Sequence, residues 1–224
     1  MALIELKGIE KHYDDGTRVR KVLSGLDLTV EKGDMISVSG VSGSGKTTLL
    51  SVLGTILRPD AGTYLLDGTD VLEEGVDLGM LRNRKIGFMF QDHRLIPQYT
   101  AWENILLPCL ASSDRTSAED EAYARSLMEM LGVMALADQY PSTLSGGESS
   151  RVALCRALVR KPELILADEP TGQLDSDHAE QVAELLQKIN RELGTAVIVV
   201  THSDRLASMA PKRYSLKEGR LYEL

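Results

Sequence analysis

Residues 40–48 read GVSGSGKTT, and their types and spacing suit one kind of chemistry, the grip on a chain of phosphates. Gly43 and Gly45 let the backbone turn its N–H groups inward around anionic oxygens. Gly40, Ser42, Ser44 and Thr48 complete the candidate cradle. Lys46 would place a cation on the β and γ oxygens of a nucleotide, and the Thr47 hydroxyl suits a Mg2+ shell. A helix following the loop would aim its positive N-terminus at the same anion. A dinucleotide site is the weaker reading, because G-x-G-x-x-G has no need of the Lys-Thr pair.

A second constellation lies far downstream. The apolar run Leu164–Ala167 leads directly into Asp168 and Glu169. A buried strand here would deliver both carboxylates to its C-terminal edge, where α/β sheets hold ligands. Asp168 would then hold Mg2+ through water, and Glu169 would act as general base on an attacking water.

These residues need elements to position them. Leu3–Leu6, Leu23–Val30 and Met35–Ser39 read as strands. After the glycine loop, Leu49, Leu50, Val52, Leu53, Ile56 and Leu57 follow a helical period stopped by Pro59. Thr63–Leu66 and Ile86–Phe90 are further strands. From about residue 91 to 161 the strand signal disappears. Ser117 N-caps one expected helix, stopped by Gly132, and a second runs from Ser145 to Val159. Leu164–Ala167 and Ala196–Val200 are buried strands, with a helix face of Val182, Leu185, Leu186, Ile189 and Leu193 between them. Unbroken apolar strands alternating with helices imply a parallel α/β sheet carrying a helical insertion.

The chain has 224 residues, 25 basic and 33 acidic side chains, and a net charge of −8, evenly spread. That excludes a basic stripe for a nucleic-acid backbone, so no nucleic-acid partner is expected. Arg82, Arg84 and Lys85 form the one basic cluster and read as a solvated face. No apolar run reaches the length of a membrane span, and no signal peptide is visible before the first strand. Cys109 and Cys155 lack metal-ligand spacing and read as reduced thiols, with Cys155 in the core.

Taken together, the sequence resembles the ATP-binding subunit of an ABC transporter over nearly its whole length. Leu144–Glu148 reads LSGGE, similar to the family signature. Gln91 stands where the family has its Q-loop, Thr171–Asp175 (TGQLD) resembles the D-loop region, and His202 follows a strand where the family has its switch histidine. Tyr13 sits where an aromatic residue stacks on adenine. The resemblance implies a P-loop NTPase fold: a RecA-like parallel sheet, an N-terminal antiparallel β subdomain and an inserted α-helical subdomain. Residues 1–90 and 162–224 would form the ATP-binding core, and 91–161 the signature subdomain. Ser145 and Glu148 have capping-box spacing, and an exposed helix tip carrying Gly146 and Gly147 is an anion site. In this family that tip faces the γ-phosphate held by the opposite subunit, which implies two ATP molecules sandwiched in a head-to-tail dimer. Asp175 would work across the same interface, His202 would contact the γ-phosphate, and Gln91 would touch Mg2+ or the attacking water.

FQDHRLIPQYTAWENILL and ADEPTGQLD, with LSGGE, resemble the branch of lipoprotein-releasing and macrolide-export ATPases. FQDH itself leans toward the close cell-division relative, whereas IGFMFQ and the segment ending in ENILLP lean toward the releasing and exporting group. The resemblance implies a peripheral protein on the cytoplasmic face of the inner membrane. It also implies a separate membrane subunit docking beside Gln91, with Leu95–Trp102 as candidate wall. Ser149, Ser150, Gln173 and Val41 depart from the usual Gln-Gln, Asn and Pro of the branch. A P-loop kinase or GTPase would leave LSGGE, Gln91 and His202 unexplained.

Overall fold

The computed structural model describes residues 2–14, 16, 18–111, 115–172 and 174–224. Two sheets organise it. Strands β1 (Ala2–Asp14), β2 (Val19–Glu31), β4 (Ala61–Leu66) and β5 (Thr69–Asp70) make an antiparallel sheet in the order β2-β1-β4-β5. The second sheet comprises β3 (Met35–Ser39), β6 (Ile86–Met89), β7 (Leu164–Asp168), β8 (Ala196–Val200), β9 (Lys212–Lys217) and β10 (Arg220–Glu223). Its order is β10-β9-β3-β8-β7-β6, parallel throughout except for the terminal β9–β10 hairpin.

The pleat of the parallel sheet explains how one short chain holds two cores. Alternate residues of a strand face opposite ways. Ile165, Ala167, Val197 and Val199 enter a core shared with helices α3 (Ala101–Leu110), α4 (Ala118–Met130), α5 (Gly146–Leu158) and α6 (Ser176–Leu193). Leu164, Leu166, Ile198 and Val200 enter the other, shared with α1 (Lys46–Leu53) and the antiparallel sheet. The all-apolar runs of β7 and β8 are therefore required by burial on both faces. Their polar continuations, Asp168-Glu169 and Thr201-His202, fall at one sheet edge.

Several elements depart from the sequence pattern. β1 and β2 extend well past their apolar cores, because pairing with each other supplies backbone bonds that side-chain pattern does not signal. Helix α1 ends at Leu53 with Gly54 as its C-cap, and Thr55 turns left-handed (φ 54°), so Ile56 is outside the helix and exposed. Helices α2 (Leu78–Lys85) and α7 (Asp204–Ser208) and the β9–β10 hairpin carry too little periodicity to be read. Helix α4 begins after its Ser117 cap and is followed by left-handed Gly132, and α5 begins after Ser145, as expected. The Arg82–Lys85 cluster is not a purely solvated face. Arg82 donates to the Thr55 carbonyl at 2.9 Å, and Lys85 joins Asp67 of the antiparallel sheet to Glu163 beside β7. Both cysteines are buried and free. Among the described residues, no helix is long and apolar enough to cross a membrane.

Candidate functional site

The phosphate loop opens onto the N-terminus of α1. Its N-cap, Gly45, has φ 105° and no side chain to cap the helix, so the first amides stay available to a ligand. A Cβ at Gly45 would lie 2.8 Å from Val22 Cγ1, so β2 presses directly on the loop. Lys46 is buried; its ammonium points at Gly40 O (2.8 Å), Val41 O (3.2 Å) and His202 Nε2 (3.2 Å). Ser44 Oγ is buried without a hydrogen-bond partner, while Val41 is exposed.

The edge of the parallel sheet supplies the acids. Burial pushes the Asp168 carboxyl above the usual aspartate range, with neighbouring Glu169 adding to the rise and the nearby Thr47 hydroxyl opposing it. Glu169 holds a left-handed backbone (φ 46°), fixed by its N–H to Val200 O at 2.9 Å. Such a conformation costs on the order of 1 kcal/mol for a residue with a Cβ. The strain aims the side chain across to the neighbouring strand end, where Oε2 accepts from the His202 amide at 3.1 Å. Oε1 is buried and lacks a hydrogen bond; it lies 3.4 Å from His202 Nε2, within Coulombic reach but outside hydrogen-bond geometry. Gln91, just beyond β6, brings its Nε2 beside Gly172.

Tyr13, Ser42, Gly43, Gly45, Lys46, Thr47 and Thr48 meet Gln91, Asp168, Glu169 and His202 around a single cleft of about 680 Å³. The Tyr13 hydroxyl is 3.5 Å from Thr48 Oγ1. Arg20 also lines this cleft, unheralded by any motif, because its place depends on strand pairing 7 positions from Tyr13.

Ser145, Gly146, Gly147, Glu148 and Asp175 do not line it. Ser145 caps α5 in a reciprocal box: its hydroxyl accepts from Glu148 N (3.3 Å), and Glu148 Oε2 accepts from Ser145 N (2.8 Å). The Ser145 hydroxyl, also bonded to that carboxylate at 2.7 Å, holds Glu148 below the usual glutamate range. Asp175 caps α6 by accepting from His178 N at 3.0 Å, and the His178 ring nitrogen Nδ1 also meets its carboxylate. A Cβ at Gly147 would lie 2.7 Å from the His178 ring, so that glycine lets the two helix tips close on each other. His178 was missed because an isolated histidine on a helix carries no spacing signal. Gln173, within the D-loop-like stretch, lies outside the described residues.

The helical part is tied to the segment after Gln91. Arg156 of α5 donates to His93 O and Arg94 O, both at 2.6 Å, and both acceptors have left-handed backbones. A groove of about 400 Å³ beside this segment is lined by Phe90, Arg94, Asn83, Pro108 and Arg156, among others. The expected wall Leu95–Trp102 does not line that groove. Leu95 packs on the helical core, and Trp102 lines a separate cleft of about 580 Å³ with Tyr99, Leu106 and Leu110, its ring covered by Arg125.

A glycine loop on a helix tip, two carboxylates at the adjoining strand end and a remote capped LSGGE helix define a nucleotide-hydrolysing cassette. The chain belongs to the ABC transporter family, whose model matches residues 23–172, and it is an ATP-binding, ATP-hydrolysing subunit of that family. Among its relatives is the lipoprotein-releasing system ATP-binding protein LolD of Shewanella frigidimarina (strain NCIMB 400), 42% identical over 98% of this chain and 92% of that protein. LolD of Myxococcus xanthus (strain DK1622) is 43% identical over the full length of both. The dimeric ATP-binding cassette MJ0796, solved in a post-hydrolysis state with ADP and Pi, superposes with a TM-score of 0.89 at 36% identity. That match covers 99% of this chain and 97% of the cassette.

Proposed function

We propose that this chain powers lipoprotein release from a membrane as one half of a head-to-tail ATP dimer, bound at the cytoplasmic face to a separate membrane subunit. The observation that carries the reading is the division of the site. One chain bears a complete phosphate cleft and, away from it, an exposed helix tip at Ser145 and Gly146 whose cap leaves N-terminal amides for an anion. The names of the LolD relatives support lipoprotein release over drug export or cell division.

In this mechanism Tyr13 stacks on adenine, Lys46 and the amides of residues 42–48 hold the β and γ phosphates, and the partner's Ser145–Glu148 tip closes over the γ-phosphate. Water oxygen bonds to the γ-phosphorus as the bond to the β–γ bridging oxygen breaks. Glu169 takes the water's proton at Oε1, the atom that lacks a hydrogen bond. His202, already bonded to Glu169 and Lys46, orients both against the γ-phosphate. The hard oxygens of Thr47 and Asp168, which line the same cleft as Gln91, fit Mg2+. The ion would supply charge neutralisation on the phosphates. Residues 91–161 would move as a unit against the core of 1–90 and 162–224, and Arg156 would pass that motion to the groove lined by Phe90 and Arg94. That groove is the better candidate for the membrane subunit than Trp102.

Two variants test the reading. Glu169→Gln is expected to bind ATP normally, lose at least about 100-fold in turnover and accumulate as dimer in ATP. Lys46→Ala is expected to lose nucleotide affinity. Full turnover in the first, or unchanged binding in the second, would contradict it.

A further inference from the structure

The phosphate cleft contains a second cation. Arg20 stands directly opposite Tyr13 in the β1–β2 ladder, and residues directly opposite in an antiparallel pair share a face. Both therefore line the same cleft, with the Tyr13 hydroxyl near Thr48 and Arg20 at Gly43. Its guanidinium donates to Gly43 O at 3.0 Å, so the positive charge sits on the rim of the phosphate cradle. Val22, two residues on and on the same face, is the side chain packed on Gly45, which fixes the hairpin that carries Arg20 against the loop. A guanidinium has five donors, and the bond to Gly43 O uses one. Among the described residues no carboxylate forms an ion pair with it, whereas neighbouring Lys21 is paired with Glu10.

We propose that Arg20 is a phosphate-binding residue of the nucleotide site, a second cation beside Lys46 supplied by the β1–β2 hairpin. The proposal rests on the ATP-binding reading and deepens it. Arg20 binds the polyphosphate of the ligand, not its base. Its fork reaches phosphate oxygens from the solvent side while Lys46 reaches them from beneath. The interaction is present in ground state and transition state alike, so its loss acts on affinity and not on the chemical step.

The test is calorimetric binding of ADP and of adenosine, together with ATP turnover, for the full chain, three Arg20 variants and Lys46→Ala. Arg20→Ala is expected to weaken ADP binding about tenfold and raise the KM for ATP by a similar factor. Adenosine affinity and kcat should stay within about twofold. Arg20→Lys, which keeps the charge, should retain most of the ADP affinity. Arg20→Gln, which can still donate to Gly43 O but is neutral, should behave like alanine. Wild-type ADP affinity in Arg20→Gln would reduce Arg20 to a prop for the loop and overturn the proposal. So would an equal loss of adenosine and ADP in Arg20→Ala. Lys46→Ala run alongside separates the two levels: if that variant bound ADP unchanged, the nucleotide site itself would be misassigned, whatever Arg20 does.

Discussion

Glu169 shows how much of this site is held by backbone and not by side-chain type. Its left-handed φ and the amide bond to Val200 put a carboxylate across the gap to His202, leaving one buried oxygen free of hydrogen bonds. The DE pair could be read from its position after an apolar strand, but the strained turn could not. Lys46 and Thr47 were equally legible, because phosphate chemistry dictates their types at fixed spacing. Arg20 and His178 were not, since their roles come from pairing and packing between distant elements. Ser150 is a different case. It replaces a usual glutamine, is fully buried in α5, and its hydroxyl has no hydrogen-bond partner. A buried unsatisfied hydroxyl costs about 1–3 kcal/mol, and alanine is the better helix former. Ser150→Ala is therefore expected to raise stability by about 1 kcal/mol in denaturant unfolding; a destabilised variant would show that this hydroxyl is satisfied.

Among the elements, α5 joins the most functions. Its tip carries LSGGE, its middle packs into the helical core beside β6, and its Arg156 holds the segment after Gln91. The start of α5 was legible as a capping box. Helix α3 has the same signature in Thr100 and Glu103, but with Pro108 inside it this short helix shows no clean helical period to accompany the cap. The capping carboxylate gives α5 a defined pH response. Ser145 holds Glu148 below its ordinary value of about 4.3. A carboxylate lowered in the folded state stabilises above its unfolded pKa, and that contribution is lost as pH falls through the folded value. The Ser145 amide, which donates to this carboxylate, should lose its hydrogen-bonded chemical shift in acid, and Glu148→Gln should remove that titration. A Ser145 amide indifferent to acid would contradict the capping geometry.

At the scale of the molecule, the parallel sheet is a wall between two cores, and the edge bearing Asp168, Glu169 and His202 lies where β7 and β8 emerge from between them. That architecture followed from the double burial of LILA and AVIVV. The peripheral pieces, α2, α7 and the β9–β10 hairpin, escaped because short exposed elements have little pattern to read. A shared apolar core joins the antiparallel sheet to the parallel one, with the ion pairs of Lys32, Asp67, Lys85 and Glu163 at its border, and Val22 packs the hairpin bearing Tyr13 and Arg20 on the loop. What this frame leaves apart is the LSGGE tip, which the proposed dimer would bring from a second copy.

The rate of ATP hydrolysis per chain, followed against protein concentration for the natural protein and for Gly146→Asp, tests that division most directly. Gly146 is exposed in the first turn of α5, where an added carboxylate suits the helix but repels a phosphate. The rate per chain should climb with concentration as dimers form. The variant should bind ATP in its own cleft as tightly as before yet lose at least about 100-fold in turnover. A rate per chain that stays constant down to the monomer, and is untouched by the added charge at Gly146, would contradict the shared site.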